Sequence, residues 1–288
     1  MQIIINGLLQ GVLIGAVGVA FALVYRTTKV FHVALGGLFS LSPYIFTMLL
    51  TFQFPIWIAL FVSTLFISLL GVALEFTIHR PLLEKDSPQE VNLIASLGAY
   101  LVLVQLIAIF WGNESQIIRQ QVSHVWHFGD VSVAQMQLFG PLFVIIAIGI
   151  IHFWLKRTNK GLELRAMSDN PVLLAILGRN IYSLRRVAFG ISAGLISMVS
   201  VGIAWDVGFS PHDGLDIVLL GMVATIIGGK GLILAPMAGG LLLGLLRAEV
   251  VWFGSARWEE AATFILLVLF LFLRPQGIFA SKARMESL

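Results

Sequence analysis

The sequence contains no cysteine among its 288 residues, which excludes disulfide bonds and thiolate metal sites. Charge is also scarce: 11% of the residues are Asp, Glu, Lys or Arg, whereas soluble domains carry about 25%. By contrast, 58% of the residues are hydrophobic. We therefore expect the lipid bilayer to be the main solvent of this chain, and we expect the chain to cross it several times.

Other features that the sequence lacks argue against several classes of function. The net charge of +3 does not indicate binding to nucleic acid, because the cations are confined to a few loops between apolar segments. No basic region precedes the first apolar run, and that run is too long for the core of a signal peptide, so we expect a retained first span. No catalytic site is predicted. No metal site is predicted either, since His124 and His127 stand in a loop without a supporting acidic or cysteine pair.

Nine apolar segments are candidates for membrane-spanning helices, each of which needs about 20 apolar residues. They cover residues 3–25, 30–51, 54–78, 92–111, 139–155, 187–205, 215–228, 232–253 and 261–273. The seventh is short and ends in a glycine-rich turn, so we expect a broken or partly re-entrant span. The sequence thus predicts an all-α integral membrane protein, a single domain over 1–288 with about eight or nine transmembrane helices.

The distribution of cations predicts the orientation of these spans. Nearly all Lys and Arg residues fall in loops on one side of the topology, and loops rich in Lys and Arg stay in the cytoplasm. We therefore expect the N-terminus outside and the C-terminus inside a bacterial or archaeal cytoplasmic membrane. The cationic loop 156–186 is then the main cytoplasmic loop.

The middle of this loop, residues 165–180, reads RAMSDNPVLLAILGRN and predicts a short, bracketed helix. Asn170 is a good N-cap and Pro171 loses no needed donor at the first helical position. Gly178 follows Leu177 where a left-handed residue ends a helix. A helix of such apolar composition in a cytoplasmic loop is expected to dock on a partner protein or, alternatively, to lie on the lipid headgroups.

Three sequence blocks resemble one family, the permease subunits of branched-chain amino acid importers of the ABC class, which also includes urea permeases. Block 165–180 is similar to the family's cytoplasmic coupling loop. Block 228–244 (GGKGLILAPMAGGLLLG) resembles its glycine-rich turn and following span, and block 271–279 (LFLRPQGIF) its C-terminal signature. The second span departs from the family's Asn-Phe-Ala-His-Gly-Glu motif, since residues 32–37 read HVALGG.

The resemblance implies a function and a set of partners. The chain is expected to form the translocation path for a small polar solute: a branched-chain amino acid, another amino acid or a urea-type compound. Expected partners are a second, related permease chain, two cytoplasmic ABC ATPases that bind ATP and Mg, and an external solute-binding protein; this chain needs no cofactor of its own. The predicted ATPase-coupling residues are Arg165, Ala166, Asp169, Asn170, Pro171, Leu173, Leu174, Leu177, Gly178 and Asn180.

Candidates for the translocation path and for docking of the binding protein are less defined. His32 is either a path residue or a side chain at the cytoplasmic interface. Gly36, Gly37 and Pro43 either line the path or allow close helix packing. Gly228 and Gly229 are a further path candidate or a tight turn, since the pattern around them is not a phosphate-binding loop. The acidic outer residues Asp213 and Asp216 are candidates for docking.

Two other classes of protein stay open at this point. A stand-alone secondary transporter or channel would carry Asp, Glu or His in the middle of a span. Glu75, Arg247 and Glu249 are the nearest candidates, and all three lie toward span ends. A membrane scaffold without transport is the third class, in which the glycines serve only packing.

Overall fold

The computed structural model describes residues 1–118, 125–128, 131–229, 231 and 233–279. His124 lies outside the described residues, as do four of the Lys and Arg residues on which the predicted orientation depends: Arg119, Lys230, Lys282 and Arg284. Within them the chain is almost entirely helical, with one short antiparallel hairpin formed by β1 (Val125–Phe128) and β2 (Val131–Ala134).

Each of the nine predicted apolar segments contains a helix, although the second helix begins at Leu35, five residues after the predicted start at residue 30. These helices are α1 (Gln2–Thr28), α2 (Leu35–Thr51), α3 (Ile56–Leu74), α5 (Gln89–Trp111), α6 (Gln135–Arg157), α9 (Ile181–Val207), α10 (Asp213–Gly228), α11 (Leu234–Phe253) and α12 (Glu259–Leu273). In the described part of the chain, six helical segments are long and apolar enough to cross a membrane. The shorter α2, α10 and α12 have 17, 16 and 15 residues.

Short helical pieces complete the chain. A π-helical turn (Glu75–His79) and α4 (Arg80–Glu84) continue directly from α3, so that one helical segment runs over Ile56–Glu84. Two further helices, α7 (Asn159–Asp169) and α8 (Pro171–Ile176), connect α6 to α9. A 3₁₀ turn (Ala256–Trp258) precedes α12.

Helix α1 is the centre of the bundle and packs against α9, α10 and α11. Its glycines Gly7, Gly11 and Gly15 recur every four residues and therefore lie on one face, where each approaches the backbone of α11. Small residues let helices approach closely in a membrane. The two helices run antiparallel, since Gly7 lies beside Gly244 and Gly15 lies beside Met237.

Hydroxyl groups link further helices through buried hydrogen bonds. Ser192 Oγ donates to the Ala20 carbonyl over 2.6 Å and Thr225 Oγ1 to the Gly18 carbonyl over 2.9 Å, which ties α9 and α10 to α1. Ser200 Oγ similarly donates to a carbonyl of α2 over 2.6 Å. By contrast, α3, α5, α6 and α12 carry many exposed large apolar side chains, as expected of the helices at the periphery of a membrane-embedded bundle.

The two ends of the bundle differ in charge. We call the end at which α1 begins the Met1 end and the end at which it finishes the Lys29 end. The described cations of the Lys29 end are Arg26, Lys29, Arg80, Lys85, Lys156, Arg157, Lys160, Arg165, Arg179, Arg185, Arg186 and Arg274, whereas the Met1 end holds Arg247 and Arg257.

Candidate functional site

The sequence block 165–180 contains the N-cap residue of α8, the helix α8 itself and the N-cap residue of α9. Asn170 Oδ1 accepts a hydrogen bond from Leu173 N (3.0 Å), and Asn180 Oδ1 accepts one from Ser183 N (3.1 Å). The two asparagines therefore start α8 and α9. Between them Gly178 has φ 75°, the left-handed conformation that ends a helix. The predicted helix is present, and it ends at Ile176, one residue before the predicted end.

Helix α8 presents an apolar surface to the exterior at the Lys29 end. Val172, Leu173, Ile176 and Leu177 are 68%, 53%, 76% and 68% exposed, so most of this short helix is not covered by the residues that the structure describes. Leu174 differs, because it is 6% exposed and belongs to the main hydrophobic core. Leu174 therefore attaches α8 to the bundle, and a contact of Leu174 with a partner stays a prediction.

The other predicted coupling residues also include both buried and exposed side chains. Ala166 packs against the core, whereas Arg165 and Asp169 on α7 and Pro171 on α8 are at least partly exposed. On the same helix, Glu163 forms ion pairs with Lys160 and with Arg179, both with N–O distances of 3.3 Å. Sequence analysis did not identify Val172 and Ile176, although both are apolar residues of the predicted helix.

A cavity at the Lys29 end brings the three sequence blocks together. Its volume is 720 Å³. Arg165, Ser168 and Asp169 of the first block, Gly231 of the second and Phe279 of the third line it. The last two blocks also contact each other directly, since Phe279 N donates to the Gly228 carbonyl (2.9 Å), and Ile278 N donates to the carbonyl of Ile227, the residue before the second block (2.8 Å).

Basic side chains dominate the wall of this cavity. Arg26, Lys29, His152 and Lys156 join Arg165 there, against the single carboxylate of Asp169. Arg26 donates to the carbonyl of Gly229, which connects the end of α1 to the glycine-rich turn. Counting only residues that the structure describes, no ion pair involves Lys29, Lys156 or Arg165.

A buried polar cluster lies beside the Lys29 end of α3 and α9. Glu75 and Arg185 are 1% and 3% exposed and form an ion pair with a Nε–Oε1 distance of 2.5 Å. Next to it, His79 Nε2 is 3.3 Å from His32 Nδ1, and His79 Nδ1 is 3.4 Å from Asn92 Oδ1. Glu75 and His79 bracket the π-helical turn, a distortion of the α-helix that is frequent at functional sites.

Sequence analysis missed this cluster. Arg185 falls within the predicted cytoplasmic loop 156–186, but it is buried on α9. The sequence does contain a hint of this ion pair, because Glu75 and Arg185 lie near the same end of their two spans, and charges within apolar segments usually pair with each other. His32 is 1% exposed and so lies within the protein rather than at an open interface.

The remaining path candidates lie in packing contacts. Gly36 meets the backbone of Gly214, Gly37 the side chain of Leu103, Gly228 the backbone of Ala235, and Gly229 the backbone of Gln276 and Gly277. Pro43 is a buried residue within α2. None of these five residues, nor His32, lines the cavity at the Lys29 end. Their part in a path stays a prediction.

The two acidic docking candidates lie at the start of α10. Both carboxylate oxygens of Asp213 accept hydrogen bonds from Ser210, one from the backbone N (2.7 Å) and one from Oγ (2.6 Å). Asp213 therefore closes the turn before α10. Asp216 is exposed, and docking of a partner on either residue stays a prediction.

Comparison with known proteins gives a family match over most of the chain. The family model described as "Branched-chain amino acid transport system / permease component" matches residues 3–273. The high-affinity branched-chain amino acid transport system permease proteins LivH of Escherichia coli and BraD of Pseudomonas aeruginosa are 22% and 24% identical. Each alignment covers 96% of this chain, with 94% of LivH and 95% of BraD.

Two further matches come from an archaeon and from a solved structure. A probable branched-chain amino acid transport permease protein LivH of Methanocaldococcus jannaschii is 25% identical over 89% of this chain and 85% of its own length. In the structure of PsaBC from Streptococcus pneumoniae with a Fab, one chain is 14% identical, with a TM-score of 0.53 and coverage of 96% of this chain and 91% of that one. This likeness concerns the fold.

The family match extends over nearly the whole apolar chain and includes the first two sequence blocks and the start of the third. Its members are transport subunits rather than enzymes, and the multi-pass helical bundle is that of a membrane protein. The chain belongs to the family of permease components of branched-chain amino acid transport systems.

Proposed function

We propose that this chain is the transmembrane permease subunit of an ABC importer and forms the path for a small polar solute. The observation that carries the proposal is the uncovered apolar face of α8 at the Lys29 end, formed by Val172, Leu173, Ile176 and Leu177. A cluster of exposed apolar side chains beside cationic residues suits a protein partner. Separate ATPase subunits would bind ATP and Mg and dock on this face.

The proposal includes an orientation and an assembly. The excess of cations at the Lys29 end supports a cytoplasmic position for that end and an external position for the Met1 end. The further partners are a second, related permease chain and an external solute-binding protein. Family membership and the similarity to LivH and BraD support solutes of the amino acid type, with urea-type solutes as the alternative.

The mechanism follows from the attachment of α8. Leu174 anchors α8 in the core, and the short α7 connects it to α6. A movement of the ATPase dimer on ATP binding would be transmitted through α7 and α8 to α6 and α9. A permease with two discrete packings would then switch between outward-open and inward-open states.

The test is to replace Gly178 with Val. A side chain would find open space there, because nothing lies within 4 Å of the added Cβ. The backbone, however, has φ 75°, which costs L-residues about 1–2 kcal/mol and β-branched residues more. We expect Gly178→Val to insert normally and to lose the coupling between ATP hydrolysis and solute uptake, both measured in proteoliposomes that contain the complete assembly.

Gly178→Asn is the matched control, because Asn tolerates the left-handed conformation, and it is expected to keep coupling. Normal coupled uptake by Gly178→Val would remove α8 from the coupling mechanism. Proton- or voltage-driven uptake by the purified chain alone would instead establish a secondary transporter, the runner-up function.

A further inference from the structure

A second cavity, at the Met1 end, carries side chains of both charges beside an apolar wall. Its volume is 280 Å³, and helices α1, α6, α9, α10, α11 and α12 contribute to it. Pockets for drug-sized ligands occupy about 300–1,000 Å³, so this cavity suits a smaller solute. We call it the outer cavity.

Arg247 on α11 supplies the positive charge of the outer cavity. One of its terminal nitrogens, Nη2, donates to Glu259 at the start of α12. The other, Nη1, is buried and has no hydrogen-bond partner among the residues that the structure describes. Because a buried donor without a partner costs free energy, this nitrogen is suited to an acceptor that enters the cavity. A carboxylate forms the strongest such bond with a guanidinium.

Asp206, in the last turn of α9, supplies an unpaired negative charge on the same cavity. Glu259 also lines the cavity, but its carboxylate is engaged by Arg247. Among the described residues, no hydrogen bond or ion pair involves the Asp206 carboxylate, which is exposed. Asp206 is therefore the acid that remains for a cationic group of a ligand.

The rest of the lining is largely apolar. Leu13 and Ile14 of α1 and Ile217 and Leu220 of α10 form part of the wall. Such a surface gains free energy by covering a small hydrocarbon group. Positive charge, negative charge and apolar wall thus surround one space of limited size.

We propose that the outer cavity is a solute-binding site within a single permease chain. In it, Arg247 binds the carboxylate and Asp206 the ammonium group of a zwitterionic solute, while the apolar wall covers a small hydrocarbon side chain. This inference rests on the proposed function and narrows its solute class. Urea carries neither charge, so it could form hydrogen bonds with the polar side chains of the cavity but no ion pair with Arg247 or Asp206.

The absence of cysteine makes a direct test possible. Leu13→Cys introduces the only thiol of the chain, and Ile217→Cys provides a second reporter on another helix if the first variant fails to assemble. The permease–ATPase assembly carrying one of these variants, with cysteine-free partner subunits, is placed in nanodiscs. The rate of maleimide labelling is then measured with and without L-leucine. We expect L-leucine to slow the labelling of both reporters.

The two charged residues are tested in the same background. Arg247→Gln is expected to raise the L-leucine concentration for half-protection about 10- to 100-fold, which corresponds to about 1.4–2.7 kcal/mol. Asp206→Asn should act in the same direction. Glu249→Gln is the control on α11: Glu249 lies two residues from Arg247, is exposed and does not line the outer cavity, so protection should not change.

Analogues separate the contributions of the two charges. Leucinamide lacks the carboxylate and 4-methylpentanoate lacks the ammonium group, and each should protect less well than L-leucine.

Protection by urea in place of L-leucine would overturn the zwitterion assignment. Failure of all these solutes to protect either reporter, in an assembly with active ATPase, would overturn the outer cavity as a solute site. Uptake of L-leucine that does not need ATP would contradict the importer instead and leave the protection result standing.

Discussion

Two ion pairs connect helices at opposite ends of the molecule, and their surroundings differ. Glu75 and Arg185 at the Lys29 end are 1% and 3% exposed, whereas Arg247 and Glu259 at the Met1 end are 16% and 22% exposed. The pair Glu75–Arg185, which we call the inner pair, lies at the end of a close contact between α3 and α9, where Gly71 meets Ala193 and Gly194 meets Ser68. The pair Arg247–Glu259, which we call the outer pair, lies on the wall of the outer cavity.

We infer from this comparison that the same kind of ion pair, a carboxylate with a guanidinium, has a different role in each of the two surroundings. A pair enclosed between closely packed helices has no water to take the place of a lost partner, so each charge depends on the other. Arg247 and Glu259 border a cavity and are partly exposed, so water or solute can approach this pair. We therefore assign the inner pair to the stability of the bundle and the outer pair to ligand recognition.

The largest effect is expected on removing one charge of the inner pair. Glu75→Ala leaves Arg185 buried and unpaired, and breaking such a pair costs about 3–5 kcal/mol. We expect a pronounced decrease in the thermal unfolding temperature of the purified protein in detergent, together with lower amounts of folded protein in the membrane.

The double variant Glu75→Leu with Arg185→Met separates charge from packing. Replacing both members of a buried pair by apolar residues of similar volume is often neutral or stabilising. The double variant should therefore be more stable than Glu75→Ala. If it were equally unstable, the loss would come from the shape of the contact between α3 and α9, and the role assigned to the inner pair would be wrong.

An intermediate effect is expected at the contact of α1 with α11, the helix that carries Arg247. A Cβ on Gly240 would collide with the backbone of Gly15 on α1, whereas a Cβ on Gly149 of α6 would meet nothing within 4 Å. Overpacking of this kind typically costs about 1–3 kcal/mol. We expect Gly240→Ala to lower the unfolding temperature and to disturb the outer cavity, and Gly149→Ala to do neither.

The local structure of the signature loop could be predicted from the sequence. Asn170, Pro171 and Gly178 each act through the backbone of their own turn, so their effect depends on residue type and position alone. The positions of the apolar helices could be predicted for a related reason, since helices in lipid must satisfy their backbone internally and remain apolar over their length, whereas the number of spans among them stays a prediction. The family resemblance came from such local blocks.

The contacts between helices could not be predicted in the same way. A helix in the centre of a membrane bundle and a helix facing lipid are both apolar on all sides, so hydrophobic periodicity does not reveal which face is buried. Glycine spacing was the signal that remained: Gly7, Gly11 and Gly15 indicate the face of α1 that meets α11. The position of Glu75 and Arg185 near the same end of their spans is a hint of their pairing. Whether the two side chains meet, and whether Arg247 meets Glu259, depends on helix rotation, which the sequence alone does not give.

The smallest effect on stability is expected from Arg247→Gln. Glu259 is 22% exposed and keeps access to water after the change, and partly exposed ion pairs contribute about 0–1 kcal/mol. The unfolding temperature without solute should therefore remain close to that of the wild type. With L-leucine at 100 times its dissociation constant, the wild type should gain about 2.7 kcal/mol, and the variant should gain much less at the same concentration. A loss of stability as large as that of Glu75→Ala would show that the outer pair also holds the bundle together, and the distinction between the two pairs would no longer stand.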